Sequence, residues 1–160
     1  MSSALFVGRF QPFHKGHLYV IRSLAKRHEK IIIIIGSAQE KRSKENPFSA
    51  GERKEMIKRV LAKEGISYEL HAVKDYFDCK KWVKAIKRLC KFDVVYSTNP
   101  WTIRCFEQAG IEVRRHRVYK RYMLSGTKIR ELMEKGKEWQ SYVPKEVYEF
   151  IKNINSTAKR

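Results

Sequence analysis

Cysteine is scarce in this 160-residue chain. Cys79, Cys90 and Cys105 are an odd number and form no C-x-x-C pair. That spacing argues against zinc-finger and thioredoxin-type motifs, and the three are read as reduced thiols of a cytoplasmic protein. Long apolar runs are missing, so no segment reads as a membrane span. The start, Met1-Ser2-Ser3-Ala4, has no basic region leading into an apolar one, and no secretory signal is expected there. There is no G-x-x-x-x-G-K-[ST], which excludes a P-loop enzyme, and no G-x-G-x-x-G after a strand, which weakens a dehydrogenase reading. No Ser-His-Asp or Cys-His set carries a local signature, and no residue cluster has metal-ligand spacing, so no protein metal site is expected.

Acidic residues are the other shortage: 17 Asp and Glu stand against 35 Lys and Arg, a formal charge of +18. Such a surplus reads either as a solvated basic surface or as attraction for polyanions. The basic residues are scattered along helices without a zinc-finger, RNP or helix-turn-helix pattern. No specific nucleic-acid partner is expected, and any duplex binding should fade as salt rises.

What the chain does contain is alternation of strand and helix. Ala4–Val7 reads as a buried strand, and Leu18, Ile21 and Leu24 mark one face of a first helix. The run Lys30–Gly36, with five consecutive isoleucines, predicts a strand covered on both faces. Ser49-Ala50-Gly51-Glu52 is a capping box opening a helix that ends near Gly65. Strand Tyr68–Val73, a helix marked by Trp82, Val83, Ile86 and Leu89, strand Phe92–Ser97, helix Trp101–Ala109 and a short strand Ile111–Arg115 follow. A basic, aromatic loop from Arg117 to Leu124 leads to a helix opened by Ser125-Gly126-Thr127, then to a last helix from Pro144 through Ile151. The polar residues 153–160 read as a frayed tail. This pattern predicts an α/β fold: one Rossmann-like domain over 1–160, a doubly wound parallel sheet of five strands with a helical C-terminal segment.

The chain is organised around Gly8-Arg9-Phe10-Gln11-Pro12-Phe13-His14-Lys15-Gly16-His17. It lies between the first strand and the first helix, where free N–H groups and the positive end of the helix dipole gather. Two imidazoles there, with glycines that let a ligand come close, describe a phosphate site. His17 alone would read as a structural histidine, and Ser125 alone as a plain N-cap.

These residues resemble the His-x-Gly-His nucleotidyltransferase superfamily, and Gly-Arg-Phe-Gln-Pro narrows the likeness to archaeal-type nicotinamide-mononucleotide adenylyltransferases. Three further blocks agree: Gly36–Glu40, Glu45–Arg53 and Ser125–Arg130. The resemblance implies strand order 3-2-1-4-5 and transfer of an adenylyl group from ATP to nicotinamide mononucleotide, with Mg²⁺ or another divalent cation, by a homo-oligomer. It implies His14, His17 and Arg130 as catalytic. It implies ATP contacts from Gly8, Arg9, Phe10, His14, Gly16, His17, Ser125, Gly126, Thr127 and Arg130, and mononucleotide contacts from Phe10, Ser37, Asp75, Trp82 and Asn99. Trp82 also reads as core, in register with Ile86 and Leu89. Two positions depart from the family pattern: Cys79 stands where a polar amide is usual, and Trp101, a rival aromatic, where a smaller apolar residue is usual. Nicotinate mononucleotide, FMN and phosphopantetheine therefore stay open as acceptors, as does a basic nucleic-acid-binding protein on this fold.

Overall fold

The structure is a computed structural model that describes residues 2–120 and 124–158. Five strands, β1 (Ser3–Gly8), β2 (Lys30–Ile35), β3 (Tyr68–Ala72), β4 (Val94–Tyr96) and β5 (Val113–Arg114), pair in parallel in the order β3-β2-β1-β4-β5. Among the described residues, α1 (Lys15–Ala25), α2 (Ala50–Leu61), α3 (Cys79–Leu89) and α4 (Pro100–Gln108) connect successive strands, and α5 (Gly126–Glu134) and α6 (Lys145–Ala158) follow β5.

Strand alternation decides what each face holds. Ala4, Phe6, Ile31, Ile33, Ile35, Val94 and Tyr96 point to the face packed by α1, α2, α5 and α6. Leu5, Ile32, Ile34 and Val95 point to the other, against Trp82, Val83 and Ile86 of α3 and Cys105 and Phe106 of α4. The isoleucine run is buried throughout because both faces of β2 are covered. The strand order reverses direction between β1 and β4, and the crevice beyond their carboxyl ends is where open α/β sheets bind ligands.

The helix N-termini are capped locally. Ser49 Oγ accepts from Glu52 N at 3.1 Å and Glu52 Oε1 accepts from Ser49 N at 2.9 Å, which is the expected box. Asp78, Asn99 and Ser125 cap α3, α4 and α5 from one side only, each side chain accepting a backbone N–H.

Two expectations are corrected. Cys79 and Cys105 are not thiols but a disulfide, with Cα atoms 4.8 Å apart, and Cys90 is the free, buried cysteine. They are 26 residues apart in sequence and meet only because α3 and α4 pack side by side on one face of the sheet. The last helix does not stop at Ile151 but runs to Ala158, because half-buried Ile154 extends the stripe of Val147 and Ile151. A 3-10 turn at Gln140–Tyr142, which has too few residues to show a period, precedes it. Residues 121–123 of the basic, aromatic loop and 159–160 of the tail lie outside the described residues. Among the described residues no helix is long and apolar enough to cross a membrane.

Candidate active site

The turn after β1 folds onto the start of α1 through its two histidines. His14 is the N-cap of α1, and its Nδ1 accepts from Gly16 N at 3.0 Å and from His17 N at 3.4 Å. His17 returns the contact: its Nδ1 accepts from His14 N at 3.1 Å. This is a capping box in which two imidazoles take the places of serine and glutamate. The rings stack with centroids 3.6 Å apart. A Cβ on Gly16 would lie 2.8 Å from His14 Cε1, so the glycine is required by the ring folded over it.

Because each Nδ1 accepts, each neutral ring carries its proton on Nε2 and offers an N–H donor there. Burial pushes the His14 pKa down to about 4. Burial, and then the charges of His14 and His116, hold His17 well below the ordinary imidazole range. Both are therefore neutral donors at pH 7. His14 binds a proton more tightly in the unfolded chain than in the folded one, so stability rises with pH between the two pKa values. The contribution is complete above about pH 6.5 and is lost as pH falls towards 4. It should amount to about 3 kcal/mol. Urea unfolding of wild type and His14→Asn across pH 4–7 measures it; asparagine keeps a cap without titrating, so its slope should be shallower. Identical slopes would show that His14 is not held neutral by the fold.

The other blocks close around this turn. Gln11 pairs with Phe48 through both amide atoms, Nε2 donating to Phe48 O at 2.8 Å and Oε1 accepting from Phe48 N at 3.0 Å. Arg9 donates to Asn46 Oδ1. Gln39 clamps Asp75, donating to its carboxylate at 2.9 Å and accepting from its N–H at 2.8 Å. Arg130 Nη1 donates to Gln11 O at 2.7 Å, which ties α5 to the first turn. Burial, followed by the nearby charge of Arg9, lowers the Arg130 pKa. Gly126 is needed where these meet: a Cβ there would lie 2.8 Å from Arg130 Nη1 and 3.3 Å from Gln11 O.

Two cavities open on this crevice. The first, ≈ 240 Å³, is lined by Gly8, His14, Gly16, His17, Ser125 and Gly126, and by Ser97, Thr98, His116 and Tyr119. The second, ≈ 560 Å³, is lined by Arg9, Phe10, Ser37, Asp75, Trp82, Asn99, Trp101, Thr127 and Arg130. Gly8, His17, Asn99 and Gly126 line both. All five residues expected at the mononucleotide thus share the second cavity. Of those expected at ATP, Arg9, Phe10, Thr127 and Arg130 line the second cavity and not the first. Trp82 is only 3% exposed and packs on Phe106, yet it still lines the cavity. Its core and pocket readings describe two sides of one ring system.

Sequence reasoning missed Arg53, which is completely buried. Its guanidinium donates to the carbonyls of Arg9 (2.9 Å), Gly36 (2.7 Å), Ser37 (3.2 Å) and Ser49 (3.2 Å). A charged residue in the first turn of an amphipathic helix looks solvated, so periodicity offered no signal. His116 was also missed; its one signal was its place in the loop leaving β5 at the carboxyl edge of the sheet.

A parallel sheet with a switch-point crevice, two imidazole donors and two helix N-termini beside two joined cavities suits an enzyme that handles phosphate groups. The Cytidylyltransferase-like family profile matches residues 5–157. The nicotinamide-nucleotide adenylyltransferase of Thermoplasma volcanium is 42% identical over 158 residues, covering 98% of this chain and 89% of that protein. That of Methanolobus tindarius is 41% identical over 156 residues, covering 97% and 90%. The chain belongs to the Cytidylyltransferase-like family and, within it, to the nicotinamide-nucleotide adenylyltransferases. Among solved structures, a bifunctional NMN adenylyltransferase/ADP ribose pyrophosphatase from Francisella tularensis, complexed with AMP and a manganese ion, superposes with a TM-score of 0.76 at 29% identity. The match covers 89% of this chain and 44% of that one, so this chain spans under half of the bifunctional protein.

Proposed function

We propose that this protein transfers the adenylyl group of ATP to nicotinamide mononucleotide, forming NAD and pyrophosphate. The observation that carries this reading is the pair of cavities joined along an edge shared by Gly8, His17, Asn99 and Gly126. One cavity suits ATP and the other the mononucleotide, with the α-phosphorus at the shared edge. A phosphate oxygen of the mononucleotide attacks that phosphorus in line. The bond to the bridging oxygen of pyrophosphate breaks, and pyrophosphate leaves with its electron pair.

The chain's own residues position and neutralise. His14 and His17 offer neutral Nε2–H donors, so they stabilise charge as it develops without a proton being transferred. Gly126 and Thr127 present backbone N–H groups at the start of α5, whose dipole favours anions. Arg9 and Arg130, on the acceptor side, hold the attacking phosphate against its repulsion by the triphosphate. Asp75, which Gln39 keeps in place, suits the amide of nicotinamide better than the carboxylate of nicotinate.

Among the described residues no three His, Cys, Asp or Glu side chains converge as a metal site. Phosphate oxygens suit Mg²⁺, which keeps several waters and binds few protein groups. We therefore assign Mg²⁺, or another divalent cation, to the ATP as it enters.

Pyrophosphate release, measured with ATP and each of nicotinamide mononucleotide, nicotinate mononucleotide, FMN and phosphopantetheine, tests the reading. Nicotinamide mononucleotide should give the highest kcat/KM, with NAD as the product by mass. Higher kcat/KM with FMN or phosphopantetheine, or no release with any acceptor, would overturn it.

A further inference from the structure

The two helices that wall the second cavity are tied covalently. Cys79 opens α3 three residues before Trp82, and Cys105 follows Trp101 by four residues in α4. Residues three and four apart share a helix face. The Cys79–Cys105 bridge and the Trp82–Trp101 pair therefore lie along one seam between α3 and α4. The indole centroids are 4.8 Å apart, with planes at 55°. Trp82 also packs on Phe106, at 5.3 Å edge-on. Trp101 is 36% exposed and sits in the first turn of α4, so it is the more open indole of the cavity wall.

We propose that the Cys79–Cys105 disulfide is a positioning element for the acceptor: it sets Trp101 against Trp82 to form the wall that meets the base of the mononucleotide. Opening the bond then weakens the mononucleotide and spares ATP. The proposal rests on the assignment of the second cavity to the mononucleotide. Its selectivity follows from placement, since no residue of α3 lines the first cavity.

Opening is thiol–disulfide exchange with a dithiol. Two electrons and two protons pass from the dithiol to the bridge, leaving Cys79 and Cys105 as thiols and the dithiol as its cyclic disulfide. Closing is the reverse exchange with a disulfide such as oxidised glutathione. Cys90 stays out of this chemistry: it is buried at the end of α3, and burial pushes its thiol up to about 11.

The test compares oxidised wild type, dithiothreitol-reduced wild type, Cys79→Ser/Cys105→Ser and Trp101→Ala. The readouts are mononucleotide Kd from indole fluorescence, KM for each substrate, kcat and Tm. Reduction and the double variant should each raise mononucleotide Kd and KM about five-fold or more, the size of a lost aromatic contact. KM for ATP and kcat should stay within about two-fold. Oxidised glutathione should restore the reduced wild type, and the double variant should ignore dithiothreitol. Trp101→Ala should show the same loss when oxidised and little further loss on reduction, because the bridge acts through that ring. If mononucleotide binding does not respond to redox state, the brace is overturned while the cavity assignment stands. Equal loss of both substrates with a lower Tm would make the bridge a general stabiliser and also overturn it. Failure of the oxidised wild type to bind mononucleotide would overturn the cavity assignment and the proposal with it.

Discussion

His17→Ala is expected to lower kcat by about two orders of magnitude or more while the protein stays folded. His17 lines both cavities, and on the proposed function its Nε2–H stands where charge spreads over the phosphoryl oxygens. A neutral donor already in place needs no reorganisation when the bond breaks, and its strength gains from exclusion of water. Alanine also removes the acceptor for His14 N, a capping contact worth about 1 kcal/mol. His17→Gln separates the two effects, because glutamine at the third helical position can still complete a capping box. Its melting temperature should recover towards wild type while kcat stays low. Pyrophosphate release under saturating substrates, with circular dichroism melts, decides the matter. Near-normal kcat in folded His17→Ala would remove the transition-state role.

The second large effect is expected at Arg53. Its guanidinium has no exposure, and among the described residues four backbone carbonyls accept its hydrogen bonds. Those carbonyls come from the exit of β1, the exit of β2 and the start of α2, so one side chain joins three segments of the crevice. Burial, then the charge of Arg9, lowers its pKa. Arg53→Met fills much of the same volume but leaves these buried acceptors without donors. The cost should be about 3–5 kcal/mol, and Tm should fall by about ten degrees. Arg53→Lys should recover only part, since an ammonium cannot reproduce the planar fork. In whatever fraction remains folded, mononucleotide KM should rise, because the Arg9 and Ser37 turns both line the second cavity, which the proposed function gives to the mononucleotide. Thermal melts measure the first effect and initial rates the second. A Tm within about two degrees of wild type would show that water replaces the guanidinium without loss.

The local elements of this fold were legible because their causes are local. The five isoleucines of β2 announce a strand buried on two faces, and Ser49 with Glu52 announces a helix start, since a cap is an interaction across three residues. The His14-to-His17 turn was legible for the same reason: all three of its capping contacts span three residues or fewer. Strand order came from the resemblance, because periodicity says nothing about which strands become neighbours.

The tertiary structure alone decided what depends on contacts far apart in the chain. Arg53 reaches Arg9 across 44 residues and Arg130 reaches Gln11 across 119, and neither spacing leaves a local trace. Cys79 and Cys105 looked like unrelated thiols until α3 and α4 packed against the same face of the sheet. Trp82 kept helical register whether it was core or pocket, and only its packing on both Phe106 and Trp101 gave it both surroundings. The sequence by itself determined where the His14-to-His17 turn and the helix starts would fall, because those interactions close within a few residues. Which of them share a cavity was decided only when the sheet brought distant loops to one edge, since burial and chain packing belong to the whole fold rather than to any segment of it.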